Sequence, residues 1–398
     1  MLQVITKDQA VACVREQLRS VVPKTETAAL NSALNRVLSQ DVVSNEDIPP
    51  FDRTTVDGYA VCAADTFGAG AAIPAELEIV GEIAMGKAPQ FALRRGQCAK
   101  ISTGGMLPAS ADAAVMVEHT DDANGLCLVY AGVSPGANVT RRGDDVAKGD
   151  CVLQKGMRIG IPETGVLAAL GVYDVPVFVP PTVAVISTGD EIVTGTPTAG
   201  QMRDVNTFLL AAAAQRFGCR VVQYGAVPDD REQIEAAVRS CLDKADAVLI
   251  SGGSSAGVRD LTVDILDTLG KVYFHGIAMK PGKPTIFAMA KGKPVFGLPG
   301  HPLAAYFVFR LIVCEGLRAM LSLPEDRPAS KGTLAVNIPS NHGREEYLCV
   351  RRRADGTVLP LHTKSGVISV LTQADGFLRI PRDAEGLAKG AEIDLYEV

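Results

Sequence analysis

The chain has no tryptophan, and aromatic residues fill only 5% of its 398 positions. That scarcity removes the stacking platforms on which single-stranded nucleic acids are held. A basic excess is missing too: 39 lysines and arginines stand against 45 aspartates and glutamates, leaving a net charge of −6. No nucleic-acid partner is expected from that balance. The nine cysteines include no close pair, the nearest two being Cys219 and Cys241, 22 residues apart. This excludes a CxxC redox or metal motif, and an odd count cannot be fully paired in disulfides. A reducing, cytoplasmic setting is the expectation. The five histidines show no HxxxH spacing, which argues against zinc. Long apolar runs are also absent. Leu303 to Cys314, the longest, is broken by Arg310 and falls short of the roughly 18 residues of a spanning helix, so no membrane association is expected.

What is present begins with 47% hydrophobic residues over 398 positions, enough for two or more domains with proper cores. Thr6 to Leu18 has Val11, Val14 and Leu18 at helical spacing, with Thr6 and Gln9 placed for a capping box. The stretch lacks the basic-then-apolar order of a signal peptide. Short β-rich runs follow at Glu78 to Ile83, Ala113 to Val117 and Leu126 to Val129, separated by Gly, Pro and Asn turns. Pro162 and Gly171 bracket a short helix. Pro176, Pro180 and Pro181 then form a stiff joint and place a boundary near residue 178. A second proline-rich break, Pro324 to Pro328, precedes alternating strands at Thr333 to Ile338, Glu346 to Arg351 and Phe377 to Ile380. The Arg351 to Arg353 run reads as a charged strand edge rather than an RNA contact.

Between these breaks the texture is β/α. Thr182 to Ile186 is short, β-branched and free of polar residues, as a strand buried on both faces would be. Asn206 is placed to cap a helix ending at Gly218, and Arg220 to Tyr224 reads as a strand. Asp230 caps a helix to about Lys244, and Ala247 to Ile250 restores a buried strand. Asp260 opens the next helix, strands follow at Lys271 to Phe274, Pro284 to Ala288 and Val295 to Gly297, and Leu303 to Met320 is an apolar helix. Four apolar runs end in glycine or acidic loops: Ser187 to Glu191, Pro228 to Asp230, Ser251 to Gly257 and Gly297 to Pro302. In an open α/β sheet such loops meet beyond the carboxyl ends of parallel strands, where ligands bind.

Each loop has its own chemistry. Ser251, Gly252, Gly253 and Ser254 place small and hydroxyl residues after a buried strand, suited to close approach of backbone donors to a phosphate, with a tight structural turn as the alternative. Asp190, Glu191, Asp229, Asp230 and Asp260 supply hard carboxylates that suit Mg²⁺ held partly by a phosphorylated substrate; for Asp230 and Asp260, helix capping is the alternative. Lys280 and Lys283 lie in a proline-stiffened loop suited to an oxyanion. Gly297 to Pro302 ends at a helix start, with His301 at the site or acting as a packing residue.

Several ordered motifs now carry a family resemblance. They are Pro49 to Ala60 (PPFDRTTVDGYA), Thr103-Gly104 with Ala113 to Glu118, Ser187 to Glu191 (STGDE), Ser251 to Gly253, Lys280 to Pro284 (KPGKP) and Gly297 to Gly300 (GLPG). In this order, and over nearly the whole chain, the sequence resembles the molybdopterin molybdenumtransferase family, MoeA and the gephyrin E domain. The resemblance implies an α/β plus β fold in four parts. These are an N-terminal segment with its return (1–50 and 140–178), an inserted mainly-β domain (51–139), a doubly wound molybdopterin-binding α/β domain (179–325) and a C-terminal small β barrel (326–398).

It further implies insertion of molybdate into adenylated molybdopterin with Mg²⁺-dependent release of AMP, in a homodimer whose cleft joins two subunits. Contact with the adenylyltransferase or with acceptor molybdoenzymes is implied as well. Carried over position by position, Asp57, Thr103, Asp145, Glu191, Asp230 and Asp260 fall at the catalytic cleft, with Glu191, Asp230 and Asp260 as metal ligands. Ser187, Thr188, Gly189, Asp190, Ser251, Gly252, Gly253, Ser254, Pro299, Gly300, His301 and Pro302 fall at the substrate, and Lys280, Lys283, Arg344 and Ser369 at the oxyanion.

The sequence departs from the family pattern at Val258, His301, Ala304, Cys349 and Asp375, each expected on the anion side or its rim. A tungstate-preferring or specialised paralogue, an adenylyltransferase or pterin-nucleotide hydrolase on the same scaffold, and a non-catalytic molybdopterin-binding scaffold are the alternative functions.

Overall fold

The computed structural model describes residues 4–252, 256–361 and 364–398, and within these the side chains of 256–260 are not described. Contacts divide the chain into two units, one of residues 27–177 and one combining residues up to Glu26 with 178–398.

The larger unit is built on a six-stranded sheet: β1 (Thr182–Thr188), β2 (Arg220–Val227), β3 (Ala247–Ser251), β4 (Gly270–His275), β5 (Ile286–Ala290) and β6 (Lys293–Leu298). Their order across the sheet is β2-β1-β3-β6-β5-β4. The first four in that order are mutually parallel, whereas β5 is antiparallel to both β6 and β4. Five of the six strands therefore point the same way. All four loops read from the sequence follow parallel strands, and the loop from β4 to β5, which carries Lys280 and Lys283, opens at the same edge. From β1 the chain passes to β2 on one side, while β3 lies on the other. The carboxyl ends of β1 and β3 thus flank a topological switch point, where open α/β sheets form their ligand crevice.

The alternation along β1 explains its lack of polar residues. Val183 and Val185 belong to a core that includes Leu210, Phe296, Phe307 and Leu317, and Ala184 and Ile186 to a second core with Ile234, Val238 and Leu266. Both faces of the strand are covered, as its composition requires. The helix Arg231–Lys244 starts at Asp230, whose side chain accepts a hydrogen bond from Gln233 N, and presents the expected buried face. Asn206 is not a cap: it is the first residue of the helix Asn206–Phe217, and Asp204 Oδ1 accepts from Thr207 N instead. The helix expected to open at Asp260 is Ala256–Leu269, so Asp260 lies inside it. The helix from Pro302 runs through a π-helical turn, Phe309–Val313, into Cys314–Met320.

The N-terminal helix Lys7–Leu18 has the predicted capping box, and its apolar stripe Ala10, Val14 and Leu18 is buried in the core that holds Leu317. Arg15 fixes it there through Glu315 Oε2 at 2.8 Å and the Leu323 carbonyl at 2.9 Å. This burial groups the helix with residues 178–398 rather than with the segment up to residue 50.

The C-terminal strands form a closed barrel. Glu345–Arg352 pairs with Thr357–Pro360 and Gly376–Ile380, and Ser330–Leu334 pairs with Thr357–Pro360 and Glu392–Leu395. Reciprocal hydrogen bonds between Phe377 and Tyr396, 2.9 and 3.0 Å, close the circuit. Arg351 is therefore on an interior strand, not an edge, and its guanidinium bonds the Gln373 backbone and side-chain oxygens. Asp375 accepts from Arg352 N at 2.7 Å, a barrel contact rather than a place on an anion rim.

The second unit contains a six-stranded sheet from Gly58–Val61, Ala75–Ile83, Gln97–Ile101, Ala113–Met116, Thr120–Ala123 and Leu126–Val129. It also holds the helix Ile161–Ala169, with Pro162 in its first turn and Gly171 left-handed beyond it. Pro176 lies within the strand Asp174–Phe178, so the stiff joint is confined to Pro180 and Pro181. The fold is α/β plus β. Phe287 is fully buried against Tyr273, Phe274 and Phe296, with centroids 5.2–5.8 Å apart. Phe287→Ala is expected to lower unfolding stability by about 3–5 kcal/mol, read from the urea midpoint of the α/β unit.

Candidate functional site

The switch point holds a cavity of about 570 Å³, lined by Ser187 and Thr188 at the end of β1 and Glu191 beyond it, Asp204 and Asn206 at the start of the next helix, Ser251 at the end of β3 with Gly252 beyond it, and Gly300, His301 and Pro302 after β6. The two strand ends touch: Gly252, at φ +159, faces Thr188 so closely that a Cβ would overlap the Thr188 hydroxyl and carbonyl oxygens. Glycine is required there by packing. Its N–H donates to the Leu298 carbonyl at 3.3 Å, so this amide serves the sheet and not a phosphate. Gly253 and Ser254 lie outside the described residues.

Buried polar groups are concentrated at this edge. Ser187 Oγ donates to Asp204 Oδ1 at 2.8 Å and lies 2.9 Å from Thr207 Oγ1. Asn206 Nδ2 donates to Ser251 Oγ and the Gly300 carbonyl, both at 2.8 Å. Ser251 Oγ in turn donates to the Pro299 carbonyl at 3.2 Å. Four buried oxygens here have no hydrogen-bond partner among the described residues: Thr188 Oγ1, Asp204 Oδ2, Asn206 Oδ1 and Asp229 Oδ1. The Thr188 hydroxyl stands near Asp229 without hydrogen-bond geometry. Buried polar atoms are normally paired; these four are also closed off from solvent, each with under 1 Å² of accessible surface.

Carboxylates gather on the rim. Asp229 N–H donates to Asp190 Oδ1 at 3.0 Å, and burial together with the charges of Asp190 and Glu191 pushes the Asp229 carboxyl above its ordinary range. Gly189 is buried with Glu191 folded over it. Asp230, by contrast, is exposed and spends one oxygen on its helix cap. Among the described residues no group of three or more His, Cys, Asp or Glu side chains is arranged to hold a metal by itself. The crowded negative charge at Asp190, Glu191 and Asp229 fits Mg²⁺ in its usual mode, in which one or two carboxylates share the ion with substrate phosphates and water.

A second cavity, about 630 Å³, adjoins the first through His301, which lines both. Lys280, Lys283, Arg344 and Lys364 line it, with Leu303, Phe307 and Leu361 as apolar wall. Lys280 Nζ is held 2.7 Å from Glu346 Oε1. Lys283 and Arg344 show no ion pair among the described residues. The lysine loop is fixed by its backbone: the Lys283 carbonyl accepts from Ile277 N and Thr285 N, and Thr285 Oγ1 donates to the Gly282 carbonyl at 2.7 Å. Ala304 and Cys349 also line this cavity, as expected, and burial pushes the Cys349 thiol up to about 11, so it is neutral. His301 Nδ1 lies 3.3 Å from Ser365 Oγ. Ser369 is exposed and outside both cavity walls.

In the other unit, Asp57 and Thr103 are brought together across 46 residues of sequence, Thr103 N–H donating to Asp57 Oδ1 at 2.8 Å. Asp145 sits on a separate loop, its N–H on the Ile48 carbonyl, and all three side chains are exposed. Sequence reasoning missed Asp204 and the inward role of Asn206. A polar Asp-Val-Asn-Thr stretch ahead of an apolar helix was the available signal, and it reads equally well as simple capping.

Comparison with known proteins gives one consistent result. Residues 5–171 match the MoeA N-terminal region (domain I and II), 184–319 a probable molybdopterin binding domain, and 331–398 the MoeA C-terminal region (domain IV). A putative molybdopterin biosynthesis protein of Methanocaldococcus jannaschii is 35% identical over 94% of this chain and 92% of its own. A molybdopterin molybdenumtransferase of Mycobacterium tuberculosis is 33% identical over 97% of each. A crystal structure of a Pyrococcus horikoshii molybdopterin biosynthesis MoeA protein superposes with a TM-score of 0.87 at 30% identity, covering 100% of both chains.

The raised Asp229 carboxyl has a definite sign. Its ionisation costs the folded state stability at every pH above the raised value, and the cost vanishes once pH falls below the ordinary carboxylate range. Asp229→Asn is therefore expected to raise the thermal midpoint at neutral pH, with the difference from wild type shrinking as the solution is acidified.

Proposed function

The chain belongs to the molybdopterin molybdenumtransferase (MoeA) family, and on that premise we propose that it inserts molybdate into adenylated molybdopterin, with Mg²⁺-dependent release of AMP. The observation that carries this reading is the pair of adjoining cavities. One is lined by Glu191 and Asp204 at the switch point; the other holds the cations Lys283 and Arg344, and His301 stands between them. A dianionic oxyanion seeks charge-assisted donors, and a phosphate-bound cation seeks carboxylates. Separate but touching compartments keep the two from neutralising each other before substrates arrive.

In this reading Lys283 and Arg344 receive the oxyanion, and the stiff lysine loop limits the entropy lost when it binds. Lys280, engaged by Glu346, sets the charge balance of the wall. Glu191 and Asp229, with Asp190 beside them, would hold Mg²⁺, which supplies neutralisation of phosphate charge when bound. Asp230 remains part of the proposal through its Oδ2, and Asp260 through the resemblance, its side chain lying outside the described ones. A homodimer belongs to it as well, with Asp57, Thr103 and Asp145 supplied by a second copy; their exposure supports that role.

The direct test mixes adenylated molybdopterin, Mg²⁺ and either molybdate or tungstate with the protein and follows AMP release and metal incorporation. Product formed with neither oxyanion would overturn the reading. Glu191→Gln, which removes charge but little volume, is expected to abolish insertion while leaving the thermal midpoint within a few degrees of wild type. Lys283→Ala is expected to raise the molybdate concentration needed for half-maximal rate by about tenfold or more, with a smaller effect on nucleotide binding. Equal loss of both would remove the oxyanion assignment.

A further inference from the structure

His301 lines both cavities, and the fold makes no structural use of its ring as a cap. It sits at the cap position before Pro302–Val308 with an extended backbone, yet its side chain makes no capping hydrogen bond. Nδ1 lies 3.3 Å from Ser365 Oγ instead. That serine is itself tied to the start of the same helix, because the Leu303 N–H donates to the Ser365 carbonyl at 3.2 Å. Nε2 has no hydrogen-bond partner among the described residues, and the residue is exposed. One ring nitrogen is therefore anchored and the other is available where the two cavities meet.

We propose that His301 is the proton carrier of metal insertion, passing protons from the dithiol of the substrate in one cavity to an oxygen of the metal oxyanion in the other. The inference rests on the proposed function and adds a catalytic residue to it; position 301 departs from the family pattern, so the assignment is particular to this chain. Joining a dithiol to molybdate breaks two S–H bonds and one Mo–O bond, forms two Mo–S bonds, and releases the displaced oxygen with both protons as water. The product is a dithiolate trioxo dianion, and no electrons are exchanged. Oxide is too basic to leave unprotonated, so protons must cross from sulfur to oxygen during the exchange. An imidazole can take a proton at Nε2 and return it from the same atom, while the Ser365 hydroxyl, able to donate to Nδ1 or accept from it, serves either tautomer. The other ionisable groups on the walls have different work. Asp204 Oδ1 accepts from Ser187 and Thr207, Glu346 holds Lys280 and the Ser340 hydroxyl, and burial keeps the Cys349 thiol neutral. Arg203 and Arg344 cannot release a proton, and Lys283 must keep its own to offset the oxyanion's charge.

The test follows molybdenum incorporation by the full-length protein with adenylated molybdopterin, Mg²⁺ and varied molybdate. His301→Gln keeps polarity and bulk without acid–base chemistry, and is expected to lower the maximal rate by about a hundredfold. The half-saturating molybdate concentration is expected to move by less than about threefold, since the loss falls on the chemical step. His301→Ala is expected to lose as much and to regain about tenfold when imidazole is added, a recovery that a ring needed only for packing or anion binding would not give. A maximal rate for His301→Gln within about threefold of wild type overturns the proposal. So does a change confined to the molybdate requirement, or a loss in His301→Ala that imidazole leaves untouched. Wild type that incorporates no metal would instead remove the functional reading, so the two failures are told apart.

Discussion

The structure turns on the contact between the ends of two parallel strands, where Thr188 closes β1 and Gly252 follows β3. Their backbones approach so closely that only a hydrogen fits on the Gly252 α-carbon. That contact sets the floor of the crevice, and the polar residues on either side have little room to turn elsewhere. Ser187 and Ser251, at the ends of their strands, are committed to Asp204 and Asn206. A network of this kind holds the floor of the crevice in one geometry before a ligand arrives, which reduces the ordering cost of binding.

Charge is partitioned with equal economy. The carboxylates collect after β1 and β2, and the cations collect after β4 and on the barrel, where the short strand Met279–Lys280 pairs with Glu345–Glu346. That pairing holds the lysine loop against the barrel and places Arg344, the residue just before the strand, on the same cavity wall. Glu346 pairs with Lys280, and Glu345 is held by Tyr347 and Arg379, whose hydroxyl and guanidinium lie 2.6 and 2.9 Å away. The acidic residues Glu345 and Glu346 are thereby engaged, and Lys283 and Arg344 have no ion-pair partner among the described residues.

Much of this was legible from residue patterns. The β-branched run at Thr182 to Ile186 specified a buried parallel strand, because burial on both faces calls for a run of apolar residues. Capping at Thr6 and Asp230 followed from local backbone chemistry alone. Asn206 and Arg351 differ from the sequence reading for a shared reason: their roles depend on neighbours distant in sequence. Asn206 answers to Ser251 and Gly300, and Arg351 lies on a strand flanked by two that come later in the chain. Asp260 differs for a local one: its helix begins at Ala256. Asp375, expected on the anion rim, is held instead by the backbone of Arg352.

The amino-acid sequence by itself determined the strand and helix periods, the loops that carry reactive residues and the family to which the chain belongs, since these are written in local spacing and ordered motifs. Only the tertiary structure decided which carboxylates crowd together, and that Asp204 and Asn206 are buried in one hydrogen-bonded network with Ser187 and Ser251. Hydrogen-bond satisfaction is a property of three-dimensional neighbourhoods: an aspartate at a helix start reads the same in sequence whether both of its oxygens are occupied or one is left without a partner.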